Sequence, residues 1–145
     1  MVLMKDQEIQ EKYVLYQILG QTIDTLKQQL QLLENQKMEA RMAEETLKDI
    51  GKLKPGNEIM VPVGSGCYAR SSIIDTKSFM VSIGSGVLMG KSEAELGSFL
   101  GEKTKELDEA AANVQKELVK AHEKLNEISA EMQEFAVKHQ PKPKA

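Results

Sequence analysis

Residues 84–92 come closest to a catalytic motif, because glycines precede a final Gly-Lys-Ser in the manner of a phosphate-binding loop. Five residues separate Gly84 from Gly90, however, where that loop has four. The same Gly-Ser-Gly sequence also occurs at residues 64–66, and Gly-Ser-Gly between apolar runs is typical of a β-turn. We therefore expect neither a nucleotide site nor a cofactor.

The other side chains that commonly perform catalysis have the spacing of solvent-exposed helices. Carboxylate pairs such as Glu44-Glu45 lie among lysines, and His122 and His139 have no second ligand at a metal-binding spacing. The single cysteine, Cys67, has no CxxC partner, and we interpret it as structural filler because free cysteines are usually buried. The sequence thus predicts a protein that is not an enzyme and has no metal site.

The composition is that of long, solvated helices. Charged residues make up 28% of the chain, aromatic residues only 4%, and tryptophan is absent, so a large globular core is not expected. A formal net charge of -3 gives no basic field that would attract nucleic acid. Neither a signal peptide nor an apolar stretch of about 18 residues is present, so we expect a cytoplasmic protein that does not enter a membrane.

Heptad periodicity predicts a first helix over about residues 6–50. With Ile9 at position a, apolar side chains recur at the a and d positions of a coiled-coil seam. These side chains are Ile9, Tyr16, Leu19, Ile23, Leu26, Leu30 and Leu33. Farther along, Lys37, Ala40 and Glu44 weaken the seam, so the helix either continues with looser pairing or changes its register.

A second heptad pattern predicts a helix over about residues 92–139, with Ser92 and Glu95 as a capping box at its start. Apolar side chains then follow at spacings of three and four. They are Leu107, Ala110, Val114, Leu118, Ala121, Leu125, Ile128, Met132 and Phe135. The spacing from Ala110 to Val114 is four residues, and the spacing from Val114 to Leu118 is four again. We interpret this second step of four as a stutter in the heptad pattern. Prolines predict a flexible tail over residues 140–145.

An internal repeat lies between the two helical patterns, within residues 57–90. Residues 61–68 recur as residues 81–88, each copy combining β-branched residues, Gly-Ser-Gly and another apolar run. This is the pattern of a β-hairpin whose glycines adopt positive φ at the turn. We predict four strands, at about residues 58–63, 67–74, 79–83 and 87–90.

Two helices that are too polar to be stable alone can bury their apolar stripes if the chain folds back on itself. We predict a single α+β domain over residues 1–145, in which a long antiparallel coiled-coil helical hairpin is joined by the two β-hairpins. Two hairpins alone form a marginal sheet with open edges. We therefore expect obligate oligomerisation through the apolar side chains of the strands. They are Ile59, Val61, Val63, Tyr68, Ile73, Phe79, Val81, Ile83 and Val87.

Apolar side chains near both ends of the sequence are the candidate binding residues. An antiparallel hairpin brings them together at the end of the coiled coil, where they cannot all be buried. They are Val2, Leu3, Met4, Ile9, Met132, Phe135 and Val137. Such a surface is a candidate contact for another polypeptide. The alternative is that Ile9, Met132 and Phe135 simply close the seam.

The order of these motifs resembles the archaeal prefoldin alpha subunits over nearly the whole chain. The resemblance rests on a helix, Val-Pro-Val-Gly-Ser-Gly at residues 61–66, a strand that ends in Ile-Ile-Asp at residues 73–75, a second Ile-Gly-Ser-Gly-Val at residues 83–87, and a final helix. In this family two hairpins indicate the alpha type, since beta-type subunits carry one.

The resemblance implies an ATP-independent chaperone. It implies a hexamer of two alpha and four beta subunits, whose hairpins close into β-barrels and whose coiled-coil tips hold unfolded polypeptides for delivery to a group II chaperonin. The tip residues named above are chosen by position, because the tips of this family vary in sequence. The heptads alone would equally permit a different function, a coiled-coil scaffold or adaptor that joins defined partners.

Overall fold

A computed structural model describes the backbone of residues 2–139 and the side chains of residues 6–138. The elements are helix α1 (Val2–Gly51), strands β1 (Glu58–Gly64), β2 (Cys67–Ser72), β3 (Ser78–Gly84) and β4 (Val87–Ser92), and helix α2 (Glu93–His139). The predicted order of a long helix, two β-hairpins and a second long helix is confirmed. The predicted tail, residues 140–145, lies outside the described residues.

The described chain divides into two compact units. The terminal unit comprises residues 2–34 and 109–139, which belong to the beginning of α1 and the end of α2. The central unit comprises residues 35–108, which include the remaining parts of both helices and all four strands. Each unit has its own packing.

The terminal unit is stabilised by an apolar seam between its two helical segments. Ile23, Leu26 and Ala121 are buried in one cluster. Half-buried side chains pack against this cluster, namely Val114, Leu118 and Leu125. The segments run antiparallel, since Lys12 pairs with Glu131 farther along α2, whereas Ile23 lies beside Ala121. The buried residues of α1, Ile23 and Leu26, occupy predicted a and d positions, which confirms the heptad assignment there, whereas Tyr16, a predicted a position, is exposed.

The apolar face of α2 in the terminal unit differs from the prediction by one residue. Ala111 is only 4% exposed, whereas Ala110 is half-buried. With Ala111 in the seam, steps of three and four alternate regularly through Val114 and Leu118 as far as Phe135. The predicted stutter is therefore wrong, because it arose from assigning Ala110 to the seam instead of its neighbour.

In the central unit, α1 keeps the heptad register that is counted from Ile9. Ala40 and Leu47 are the next d positions and both are buried. On α2, Leu100 and Leu107 are buried in the same unit. Of the two alternatives for this part of α1, looser pairing or a changed register, the burial pattern excludes the change of register.

The two polar a positions of this segment are paired with side chains of α2. Lys37 Nζ lies 2.8 Å from Asp108 Oδ1. The Thr104 hydroxyl donates a hydrogen bond to Glu44 Oε1 at 2.8 Å. A polar residue at a seam position favours the one alignment of the two helices in which it contacts a polar side chain of the facing helix. These pairs therefore specify how α1 and α2 align within the central unit.

We expect the pair of Lys37 and Asp108 to make stability depend on acid pH. The hydrogen bond from Lys37 lowers the pKa of Asp108 below its usual 3.8. A carboxyl group with a lowered pKa stabilises the folded state above its unfolded pKa, and this contribution is lost as pH falls through the folded pKa. The free energies of unfolding of the wild type and of Asp108→Asn, measured by urea titration, should therefore differ most near neutral pH and converge as pH falls through the lowered pKa of Asp108. A difference that is independent of pH would contradict this role.

The two β-hairpins have the same turn geometry. Ser65 and Gly66 have φ values of 51° and 76°, and the equivalent Ser85 and Gly86 have 52° and 74°. Positive φ at both central residues defines a type I′ turn, whose twist matches that of the strands. The glycine before each turn also has positive φ. The predicted role of the glycines is confirmed, whereas the positive φ of the two serines was not predicted.

Short polar side chains organise the ends of the hairpin region. Between the hairpins, the Asp75 carboxylate accepts hydrogen bonds from the Lys77 N–H at 2.8 Å and the Ser78 hydroxyl at 2.7 Å. These bonds, the one from Lys77 first, lower the pKa of Asp75. At the start of α2, Ser92 Oγ accepts the Glu95 N–H at 3.2 Å. Ser92 is thus the N-cap that the sequence predicts.

Candidate functional site

The strands of the central unit expose apolar side chains that a soluble monomer normally covers. Five of the nine predicted oligomerisation residues are exposed, namely Val61, Val63, Tyr68, Ile83 and Val87. The other four are half-buried, namely Ile59, Ile73, Phe79 and Val81. Further exposed residues were not predicted, namely Met60, Ile74, Met80, Leu88 and Met89. All of them except Ile74, which follows β2, lie in strands, and their apolar character was the available signal.

Each hairpin is a separate sheet of only two antiparallel strands. Within the described residues, each strand therefore has one edge without a strand partner. An unpaired edge presents free backbone N–H and C=O groups to which another strand can add. The hairpins thus combine two features of an interface, exposed apolar side chains and open strand edges.

The predicted binding residues near the chain ends are partly accessible. Ile9, Met132 and Phe135 are half-buried, whereas Val137 is exposed. Ile9, Met132 and Phe135 thus occupy seam positions and still reach the surface, and their role in binding another polypeptide stays a prediction. The remaining three belong to the first turn of α1, but their side chains lie outside the described ones, namely Val2, Leu3 and Met4.

A shallow pocket of about 240 Å³ lies at this end of the terminal unit. Ile9 and Phe135 supply its apolar wall. Its other residues are charged, namely Glu8, Lys12, Glu131, Glu134 and Lys138. The pocket can therefore accept an apolar side chain beside a charged one.

Lys12 occupies a d position of the seam, where it forms an ion pair. Its Nζ lies 2.8 Å from Glu131 Oε2. The hydrogen bond to Glu131 raises the pKa of Lys12 above its usual 10.5. Because both side chains are about half exposed, water weakens this ion pair, which replaces the apolar contact that a leucine would make.

A second apolar surface of the terminal unit was missed by the sequence reasoning. Val14, Leu15 and Ile18 are exposed on α1 and line a groove of about 480 Å³. Three polar residues complete its lining, namely Gln7, Gln10 and Glu11. These apolar residues fall outside positions a and d, where a solvated helix normally has polar residues. That mismatch was the signal that would have identified them.

The other chemically distinctive residues behave as structural or surface groups. Cys67 is exposed at the start of β2, so its interpretation as buried filler is wrong. It is exposed because a hairpin of two strands leaves its side chains uncovered. Residues 84–92 form a hairpin turn and strand β4. His122 is exposed on α2, as predicted, and the side chain of His139 lies outside the described ones.

No helix between residues 2 and 139 has an apolar stretch that is long enough to cross a membrane.

The fold and the exposed surfaces define a protein of two long helices joined by two β-hairpins with open edges. The family model of the prefoldin subunit matches residues 19–138. The chain therefore belongs to the prefoldin family, which is a family of chaperones and not of enzymes.

Relatives with known names agree with this assignment. The chain is similar to a prefoldin subunit alpha of Pyrococcus horikoshii, with 33% identity over 134 residues that cover 92% of this chain and 90% of that protein. It is also similar to a prefoldin subunit alpha of Thermofilum pendens, with 35% identity over 115 residues that cover 79% of this chain and 89% of that protein.

Two solved structures share the fold. One is a cryo-EM structure of filamentous PFD from Methanocaldococcus jannaschii, with a TM-score of 0.69 and 20% identity, covering 80% of this chain and 96% of the other. The second is the crystal structure of the prefoldin beta subunit from Thermococcus strain KS-1. It has a TM-score of 0.59 and 19% identity, and the match covers 92% of this chain and 95% of the other.

Proposed function

We propose that this chain is the alpha-type subunit of a cytoplasmic prefoldin oligomer, which captures unfolded polypeptides without ATP and passes them to a group II chaperonin. The named relatives are prefoldin subunits alpha, and the chain has the two hairpins of that type. The observation that carries the proposal is the exposed apolar surface on both units. In water such surfaces are costly, so they favour binding to other polypeptides.

The hairpins supply the assembly surface in this proposal. Beta-type subunits, as in the similar beta-subunit structure, are the expected partners. In a hexamer of two alpha and four beta subunits, strands of neighbouring subunits pair with the open edges of β1 to β4 and close into β-barrels. Assembly then covers exposed side chains such as Tyr68 and Val87.

The terminal unit supplies the client surface. Its apolar contacts are small and shallow, so a single one binds weakly. Several coiled coils on one assembly raise the effective concentration of such contacts around one unfolded chain. Capture is then strong but reversible, as delivery to another chaperone requires.

Removing apolar side chains near the chain ends is expected to weaken client capture. In the double variant Phe135→Ser, Val137→Ser, we expect suppression of aggregation of an unfolded client to fall several-fold, because each side chain contributes about 1 to 2 kcal/mol of apolar contact. Light scattering at increasing chaperone concentration measures this effect. Circular dichroism and native mass determination should show an unchanged helix content and assembly.

Val119→Ser, which removes an exposed valine from another part of α2, is the control for the Val137→Ser change and should leave capture unchanged. If the double variant suppressed client aggregation as fully as the wild type, the assignment of Phe135 and Val137 to the client surface would be refuted. If the wild type suppresses no aggregation but binds one defined partner through a helix face, the chain is an adaptor and not a holder of unfolded chains.

A further inference from the structure

The client surface of the terminal unit is acidic as well as apolar. The described side chains of residues 6–18 and 127–138 include six carboxylates but only two lysines, Lys12 and Lys138. Both lysines are ion-paired, with Glu131 at 2.8 Å and Glu134 at 3.2 Å. The other four carboxylates are exposed, namely those of Asp6, Glu8, Glu11 and Glu127.

Two of these carboxylates lie next to the exposed apolar residues of α1. Glu11 lines the groove formed with Val14, Leu15 and Ile18. Glu8 and Glu11 flank a second depression beside Leu15, together with Lys12, whose ammonium group is paired with Glu131. Val14 and Ile18 are each 52% exposed, so apolar area and negative charge are available to the same ligand.

We propose that this surface selects unfolded segments in which apolar residues alternate with lysine or arginine. The proposal rests on the proposed chaperone function and adds the class of segment that is bound. Apolar side chains of the segment lose contact with water in the groove, and its cations lie beside Glu8 and Glu11. A segment with acidic residues at the same positions gains the same apolar contact but is repelled.

The chain ends also contain Lys5, Lys142 and Lys144, whose side chains lie outside the described ones. Overall charge at the ends is therefore not the source of the selectivity. The selectivity comes from Glu11, which lines the groove, and from Glu8, which lies with Glu11 at the neighbouring depression, so it depends on these two side chains.

Two fluorescent, unstructured peptides with identical apolar residues test the proposal, one with lysine and the other with glutamate between them. Fluorescence anisotropy measures their Kd values with the full chain in the assembly in which it purifies. We expect the lysine peptide to bind about tenfold more tightly at low ionic strength, and the difference to shrink at about 0.5 M salt.

The double variant Glu8→Gln, Glu11→Gln should reduce this preference to about threefold or less. The control Glu39→Gln, Glu45→Gln removes the same number of exposed charges from the part of α1 in the central unit, and should keep the full preference. The double variant Val14→Ser, Ile18→Ser should raise the Kd values of both peptides by a similar factor, since it removes only apolar contact.

Equal affinity of the wild type for the two peptides would overturn the charge selectivity and leave the chaperone function intact. A preference that persists in Glu8→Gln, Glu11→Gln would also overturn it, because another surface would then be responsible. If neither peptide binds and aggregation of clients is not suppressed, the proposed function itself fails.

Discussion

A chain with Val63→Glu and Ile83→Glu is expected to remain unassembled at concentrations at which the wild type forms its oligomer. The two residues are equivalent in the internal repeat and are 66% and 59% exposed. Assembly through the hairpins would remove both from water, and a buried carboxylate without a partner is strongly unfavourable. We expect the apparent dissociation constant to rise at least about a hundredfold.

Sedimentation velocity and native mass spectrometry measure this loss of assembly. The matched control, Met38→Glu with Met42→Glu, places the same charges at exposed apolar positions of α1 in the same unit. It should assemble normally, because the helix is not part of the proposed interface. Normal assembly of the hairpin variant would refute the interface, and a stable monomeric wild type would refute oligomerisation as such.

The secondary structure could be predicted closely because its signals are local. A seam period of three and four residues identifies a helix, and a repeated Gly-Ser-Gly between apolar runs identifies a hairpin. Ser92 illustrates the precision that a local signal allows. Its side chain caps the helix that begins at the next residue, as the Ser92 and Glu95 pair predicts.

The seam of the central unit could be predicted only in part, because the missing information lies on the other helix. Glu44 looked like a defect in the seam, but its partner is Thr104, which is 60 residues away along the chain. Ala110 and Ala111 have the same side chain at adjacent positions. Packing against the facing helix decides which one is buried, and the heptad count alone does not.

Surface features were the least predictable, because hydrophobic patterns assume that apolar residues become buried. Val14, Leu15 and Ile18 are apolar and exposed, and Cys67 is exposed although free cysteines usually are not. In a chain that binds other polypeptides, as proposed for this one, this assumption fails at the contact surfaces. Under that proposal, departures from the heptad pattern are better indicators of function than the pattern itself.

Truncation of Leu26 is expected to lower the stability of the terminal unit substantially. Leu26 is 7% exposed and packs in the cluster with Ile23 and Ala121. Replacing a buried leucine with alanine removes apolar contact and leaves a cavity, which costs about 2 to 5 kcal/mol. We expect Leu26→Ala to lower the free energy of unfolding by about 3 kcal/mol, measured by urea titration with circular dichroism.

Leu32→Ala is the matched control, because it makes the same chemical change in the same helix at a residue that is 61% exposed. Both substitutions change helix propensity equally, so their difference isolates the contribution of the seam. The control should change the free energy of unfolding by less than about 0.5 kcal/mol. Equal effects of the two substitutions would mean that the cluster around Leu26 does not stabilise the unit, and the antiparallel pairing of its helices would need another source.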